Sequence, residues 1–351
     1  MKKIVINGMA FTKGKEIYGI HRFLAEILFV LGTKDDLPFS VEVTVPRNSE
    51  IFNNLPNIKT VQKSWPTLGK IPMILWDAFG FRLYTFLNKG LAVDLILSYP
   101  LPSSDIVGLY DCVQERTAAS RKISLYRKWM MYRIKKNTQR SRAIVTLSEF
   151  SKKEIIKYHG QADKIHIVPC GWQHFERVSE GENVLERYHL QKGAYLYALG
   201  SRSPRKNDKW LICAARQNPQ YTFVISGSTS FTSNVDRNDV PSNVVFTGYI
   251  PDSDVKTLMK HCKAFIQPSL IEGFGIPPME AMSVGARCIV SNATSLPEVY
   301  GESVWYIDPL DYEHIDIDSI MSQEIKDNAL VLDKYSWKKA ASMLIDIIAG
   351  L

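Results

Sequence analysis

The chain has 351 residues, 45% of them apolar, with a formal net charge of +7 and five cysteines. That length is too great for one core and natural for two globular domains, and no apolar run reaches the roughly 18 residues that span a bilayer. Cys112, Cys170, Cys213, Cys262 and Cys288 are scattered, without a CxxC pair, which suggests a reducing compartment and no cysteine-built metal site.

In chain order, MKKIVINGMAF has an apolar run too short for a signal-peptide core, and Lys3–Asn7 predicts a first strand. After the loop from Gly14 to Gly19, apolar residues at Ile20, Phe23, Leu24, Ile27, Leu28 and Leu31 predict a helix. Val41–Val45 and Lys59–Gln62 read as strands, Ile71–Leu87 as a helix, and Val93–Ser98 and Asp105–Tyr110 as strands. Ala143–Leu147 and Ile165–Val168 are the last strands of this half, with Ser148 capping a helix between them. Strand and helix alternate, which implies a parallel sheet. The opening strand, glycine loop and helix have the Rossmann arrangement, although no GxGxxG is present.

Between Arg116 and Arg142 lie ten Lys and Arg residues and no carboxylate, interleaved with Leu125, Trp129, Met130, Met131, Tyr132 and Ile134. A basic helix of this kind suits an anionic membrane surface; a merely solvated basic helix is the alternative. Nothing else resembles a nucleic-acid module, so no nucleic-acid partner is expected.

Residues 173–193 are polar and charged and predict a linker, so the domains are expected at 1–172 and 194–334, followed by a C-terminal helix over 335–351. Tyr195–Leu199 opens the second domain. Arg202, Arg205 and Lys206 follow on the loop at its carboxyl end, a natural diphosphate clamp. Tyr221–Ser226 and Val244–Phe246 are further strands. Asp252-Ser253-Asp254 and Asp316-Ile317-Asp318 are formally DxD pairs, yet the first sits where an ordinary helix cap belongs, and neither reads as a metal site.

The most informative stretch is Ala264 to Gly301. A short strand stops at Pro268, and the loop Glu272-Gly273-Phe274-Gly275 leads through Ile276, Pro277 and Pro278 into a helix. Cys288–Ser291 is again strand-like, and Ser295-Leu296-Pro297-Glu298 begins a second helix. Glycines and a helix N-terminus suit a phosphate, whereas Glu272 and Glu280 suit sugar or ribose hydroxyls. Together these describe a nucleotide-sugar pocket.

This stretch resembles the donor-site signature of the retaining glycosyltransferases of family 4, also called group 1: proline-serine, EGFG, a proline, a second glutamate eight positions after the first, and a later LPEV. The resemblance implies an α/β GT-B fold, two Rossmann-like domains whose parallel sheets face an interdomain cleft. It implies metal-independent transfer from a nucleotide diphosphate sugar, with no further cofactor, to a glycan or lipid-linked acceptor in surface polysaccharide assembly. The enzyme would be cytoplasmic and peripheral to the inner face of the membrane. Lys206, with Arg205 or Arg202, would clamp the diphosphate. Glu272, Gly273, Phe274, Gly275 and Ile276 would hold the sugar and phosphates, Glu280 the ribose, and Tyr249 the base. Gly19-Ile20-His21-Arg22-Phe23 is similar to a stretch the family turns to the cleft. Relatives carry a His-Asp pair where this chain has Tyr110 and Asp111. That departure keeps open a catalytically weak binding subunit, or a same-fold epimerase or phosphorylase.

Overall fold

A computed structural model describes residues 2–11, 19–47, 49–63, 76–96, 104–116, 124–200, 204–227 and 240–351. The chain forms two compact units, Met1–Cys170 with Trp337–Leu351, and Gly171–Ser336.

The first unit is built on strands β1 (Lys2–Asn7), β2 (Phe39–Pro46), β3 (Ile58–Lys63), β4 (Leu91–Asp94), β5 (Ile106–Gly108), β6 (Ala143–Thr146) and β7 (Ile165–Ile167). All pairings are parallel, in the order β3-β2-β1-β4-β5-β6-β7. The inner strands are buried on both faces, which explains their continuous apolar runs: Ile4, Val5 and Ile6 are inaccessible to solvent, whereas the edge strand β3 is half-exposed. Helix Ile20–Thr33 buries the predicted stripe of Phe23, Leu24, Ile27, Leu28 and Leu31. The helix Trp337–Gly350 lies against it, burying Trp337, Ala340, Leu344 and Ile348, with the Phe23 and Trp337 rings 6.1 Å apart. Lys2 Nζ donates to the Ile348 carbonyl at 2.7 Å.

Several boundaries differ from the sequence expectation. β4 ends at Asp94, because the Asp94 carboxylate accepts the Ile96 N–H at 3.2 Å and turns the chain; Ser98 and Tyr99–Pro102 lie outside the described residues. β5 stops at Gly108, two residues before Tyr110. Of the expected helix Ile71–Leu87, residues 71–75 are outside the described set; Trp76–Gly80 forms a π-turn and Phe81–Leu87 an α-helix.

The second unit repeats the plan with β8 (Tyr195–Leu199), β9 (Thr222–Ser226), β10 (Val244–Gly248), β11 (Ala264–Gln267), β12 (Cys288–Ser291) and β13 (Trp305–Ile307). Its parallel order is β10-β9-β8-β11-β12-β13. Trp210, Leu211, Phe223, Ile266 and Ile289 share its core. The buried phenols of Tyr195 and Tyr197 donate to the Leu258 carbonyl and to Ser226 Oγ at 2.8 and 2.9 Å, so neither leaves an orphaned hydroxyl. Residues 173–193, expected as a linker, fold onto this unit instead. Gln173–Arg177 is a 3-10 turn and Val184–Arg187 a helical turn, and Lys256 Nζ holds the Phe175 and Val178 carbonyls at 2.9 and 2.6 Å. Among the described residues no helix is long and apolar enough to cross a membrane.

Candidate active site

In each sheet the strand order reverses beside its first strand, and ligands of doubly wound folds bind outside the carboxyl ends at that reversal. In the second unit the reversal lies between β8 and β11, so the loops after these strands form one place. The β8 loop reaches the 3-10 turn Pro204–Lys206; Arg202 lies outside the described residues. The β11 loop carries Glu272 to Gly275. Backbone ties them, Leu270 N–H donating to the Arg205 carbonyl at 2.7 Å. Asn207 locks the turn from below. It adopts φ +62°, which asparagine tolerates better than most residues, and its amide donates to the Pro268 and Pro309 carbonyls at 3.0 and 2.8 Å. Gly227 is also required. A Cβ there would stand 2.3 Å from the Gly200 carbonyl oxygen, so the loops after β8 and β9 could not meet.

The three charged candidates come together. Lys206 Nζ lies 2.7 Å from Glu272 Oε1, and Arg205 Nη1 lies 3.1 Å from Oε2 and 3.3 Å from the Ile271 carbonyl. Burial pushes the Glu272 carboxyl up, but Lys206 and Arg205 outweigh it and hold the group below its ordinary value. Glu272 is also fixed through its backbone: its N–H donates to Thr294 Oγ1 at 3.0 Å, and its carbonyl accepts from Ser295 Oγ at 2.9 Å. A clamp of two cations closed on one carboxylate can exchange that carboxylate for phosphate oxygens.

Gly275 caps helix Ile276–Ser283 at φ +87°, with Pro277 and Pro278 in the first turn and no side-chain cap. Phe274 is not a surface contact. Its ring is buried edge-on to Tyr335 at 5.2 Å and anchors the loop, leaving Gly273 and Gly275 to present backbone. Glu280 projects from this helix, and its Oε1 meets His174 Nε2 at 2.7 Å, with His174 almost wholly buried. Sequence reasoning missed His174, which stands in the stretch read as linker. It also missed Asp208, directly after Asn207, whose carboxyl is pushed by burial up to about 6. Tyr249, after β10, is exposed.

The other candidates lie in the first unit. Gly19 caps helix Ile20–Thr33 at φ +53°, and His21 stacks edge-on to Phe11. The expectation that Tyr110 takes a catalytic histidine's place meets a different arrangement. Its hydroxyl donates to the Leu95 carbonyl at 2.8 Å inside the core, and burial holds it protonated far above neutral pH. Asp111 beside it is exposed, and accepts the Val113 N–H at 3.3 Å. The DxD carboxylates do local work. Asp254 is buried against Arg187 at 2.6 Å, Asp316 accepts the Ser319 N–H at 3.0 Å as a helix cap, and Asp318 accepts from Gln220 at 3.0 Å and from Tyr221; Asp252 opens helix Asp252–His261.

The chain is similar to known proteins in sequence and in fold. Residues 186–339 match the family described as glycosyl transferases group 1. The chain is similar to the O-antigen chain mannosyltransferase B of Escherichia coli, 32% identical over 216 residues, 58% of this chain and 54% of that protein. It is also similar to the serotype-specific mannosyltransferase WbdA of Escherichia coli, 30% identical over 235 residues, 59% of this chain and 29% of the relative. The chain thus spans about half the length of the first relative and less of the second. Among solved structures, Anabaena HepE in complex with UDP and glucose superposes with a TM-score of 0.67 at 13% identity, covering 100% of both chains. Residues 186–339 are therefore similar to the glycosyl transferases group 1 family, and the two-sheet fold is that of the GT-B glycosyltransferases.

Proposed function

We propose that the chain is a retaining glycosyltransferase that moves mannose from a nucleotide diphosphate donor to a membrane-associated glycan or lipid-linked acceptor, in surface polysaccharide biosynthesis. The observation that carries this reading is the closure of Arg205 and Lys206 on Glu272 at the sheet reversal. The names of the mannosyltransferase relatives support the choice of sugar. On donor binding, the two cations turn from Glu272 to the diphosphate and neutralise the charge that grows on the leaving group, where stabilisation counts most. The released carboxylate then accepts hydrogen bonds from sugar hydroxyls, while backbone N–H groups of Gly273, Phe274 and Gly275 meet the phosphates and sugar. Glu280, steadied by His174, takes the ribose, and Tyr249 flanks the base. Retention and metal independence rest on the family resemblance: the cations do a divalent ion's work, and the leaving diphosphate itself helps to deprotonate the acceptor. Tyr110 has no part in this scheme, since its proton is engaged in the core; Asp111 is the acceptor-side candidate that remains.

The acceptor is reached from the bilayer surface at the inner face of the membrane. Helix Leu125–Arg140 supports this, because Leu125, Trp129 and Tyr132 are exposed at spacings of a helix face, with Lys128 and Lys135 exposed beside them.

The test is a panel of GDP-, UDP- and dTDP-linked sugars. A true donor at a hundredfold excess over its Kd stabilises the fold by about 2.7 kcal/mol, and with a lipid-linked acceptor it yields a product of unchanged anomeric configuration. Failure of every donor to raise the melting temperature, or an inverted product, overturns the reading. Adding Mg²⁺ or Mn²⁺ should leave the rate unchanged.

A further inference from the structure

Cys112, Glu115 and His159 belong to the first unit, and no step above uses them. They come from three places: the segment after β5, the helical turn Val113–Arg116, and the last residue of helix Glu149–His159. All three are buried, and one ligand atom from each lies within 4.8 Å of the other two. The site is not fully satisfied. His159 Nε2 and Glu115 Oε1 face each other at 3.1 Å, Glu154 Oε2, five residues before His159, has an ion-pair contact with Arg116 Nε at 3.5 Å, and His159 Nδ1 is buried without a hydrogen-bond partner. A buried ring nitrogen left unpaired beside two carboxylates and a thiol calls for a missing partner in the site.

We propose that Cys112, Glu115 and His159 hold a zinc ion. A thiolate, an imidazole and a carboxylate together suit Zn²⁺ and exclude the hard cations Mg²⁺ and Ca²⁺. The spacing suits it too. His159 Nε2 and Glu115 Oε1 stand 3.1 Å apart. Two ligands on one tetrahedral Zn²⁺ with bonds of about 2.0–2.1 Å are about 3.3 Å apart. On binding, the Cys112 S–H bond breaks, its proton passes to solvent, and the sulfur bonds to the metal; His159 binds as the neutral ring. Without metal, burial and then the nearby Glu115 charge hold that thiol well above its ordinary value, so the ion is what would make it a thiolate. The fourth position falls to Glu154, now 3.5 Å from Arg116 Nε, or to a solvent oxygen. The ion would pin the segment carrying Asp111 to helix Glu149–His159, a structural and not a catalytic duty.

The full chain, purified without a metal-affinity step, should contain about one zinc per chain by elemental analysis. Wild-type protein stripped of metal and given Co²⁺ should develop the near-ultraviolet sulfur-to-cobalt absorption of a single thiolate. That absorption should vanish in Cys112→Ser and persist in Cys213→Ser and Cys262→Ser, which serve as folded controls. Zn²⁺ but not Mg²⁺ should raise the melting temperature of the stripped protein. Absence of zinc together with no cobalt–sulfur absorption in the wild type overturns the proposal, whether or not the Cys112 variant folds. Absorption that survives Cys112→Ser overturns it equally.

Discussion

Replacing Lys206 by methionine keeps the apolar stem and removes the ammonium. Lys206 Nζ is 2.7 Å from Glu272 Oε1, and the contact is shielded, the two side chains being 15% and 8% exposed. A hydrogen bond to a charged group of this kind contributes about 1.5–3 kcal/mol. Arg205 remains 3.1 Å from the other oxygen, so the carboxylate is not stranded. Lys206→Met should therefore cost the second unit about 2 kcal/mol and leave it folded. Activity should fall further than stability explains, because removing one preorganised charge contact from a leaving group costs about 10²–10³-fold in rate. The assay is kcat/KM and thermal melting for Lys206→Met, Glu272→Gln and the double variant. If Lys206 serves only to hold Glu272, the double variant will be as slow as the slower single one. If it also touches the donor, the double variant will fall below both. A lowered melting temperature with near-normal kcat/KM in Lys206→Met would refute the diphosphate assignment.

Tyr110→Phe should destabilise the first unit by about 1–3 kcal/mol, the cost of an unpaired buried carbonyl at Leu95, and leave kcat unchanged in steady-state assays; a loss of kcat alone would return Tyr110 to the chemistry. His174→Phe should raise the donor KM more than it lowers kcat, and His174→Gln, which can still meet Glu280, should recover part of the loss; equal kinetics for the two variants would remove the hydrogen bond from the argument. Asp208, pushed up to about 6 from 3.8, binds its proton more tightly folded than unfolded, so folding loses stability as pH rises from about 4 to 6. Asp208→Asn should accordingly stabilise the protein above pH 6, by about 1–2 kcal/mol once partial exposure is discounted, and not below pH 4; denaturant melts at both pH values decide it. Binding to anionic liposomes should be lost at high salt and in the variant with Arg127, Lys128, Lys135 and Lys136 all replaced by glutamine, with donor binding intact; equal binding by the variant would move the membrane contact elsewhere.

Much of the fold was readable because its signals are local. Parallel strands buried on both faces write themselves as short apolar runs, and all but the ends of β1, β2 and β6 through β12 are visible that way; the half-exposed edge strand β3 is read as well, and the three-residue edge strand β13 is missed. The ends are set by single hydrogen bonds, such as Asp94 to Ile96, which leave little trace in a hydropathy pattern. The donor loop was readable because glycine and proline constrain backbone wherever they stand. What it lacked was partnership across the chain. Nothing local tells that Glu272 is already occupied by residues 66 and 67 positions earlier, or that His174, in a stretch without strand pattern, faces a glutamate 106 positions later. Tyr110 is another residue whose partner lies beyond any local pattern. A tyrosine in a family position looks like a substitution for histidine until its hydroxyl is found pointing into the core.

The division of the chain bears on how it is made. The second unit is one uninterrupted segment, whereas the first takes its closing helix, Trp337–Gly350, from the far side of that segment. A ribosome therefore releases the second unit's last strand before the first unit's core can be sealed. Until then Phe23 lacks its neighbour Trp337, and the apolar face of helix Ile20–Thr33 stays partly uncovered. Such surface is what aggregates and what chaperones hold. Shortening the chain at its carboxyl end should thus harm the half synthesised first, and spare the half synthesised last.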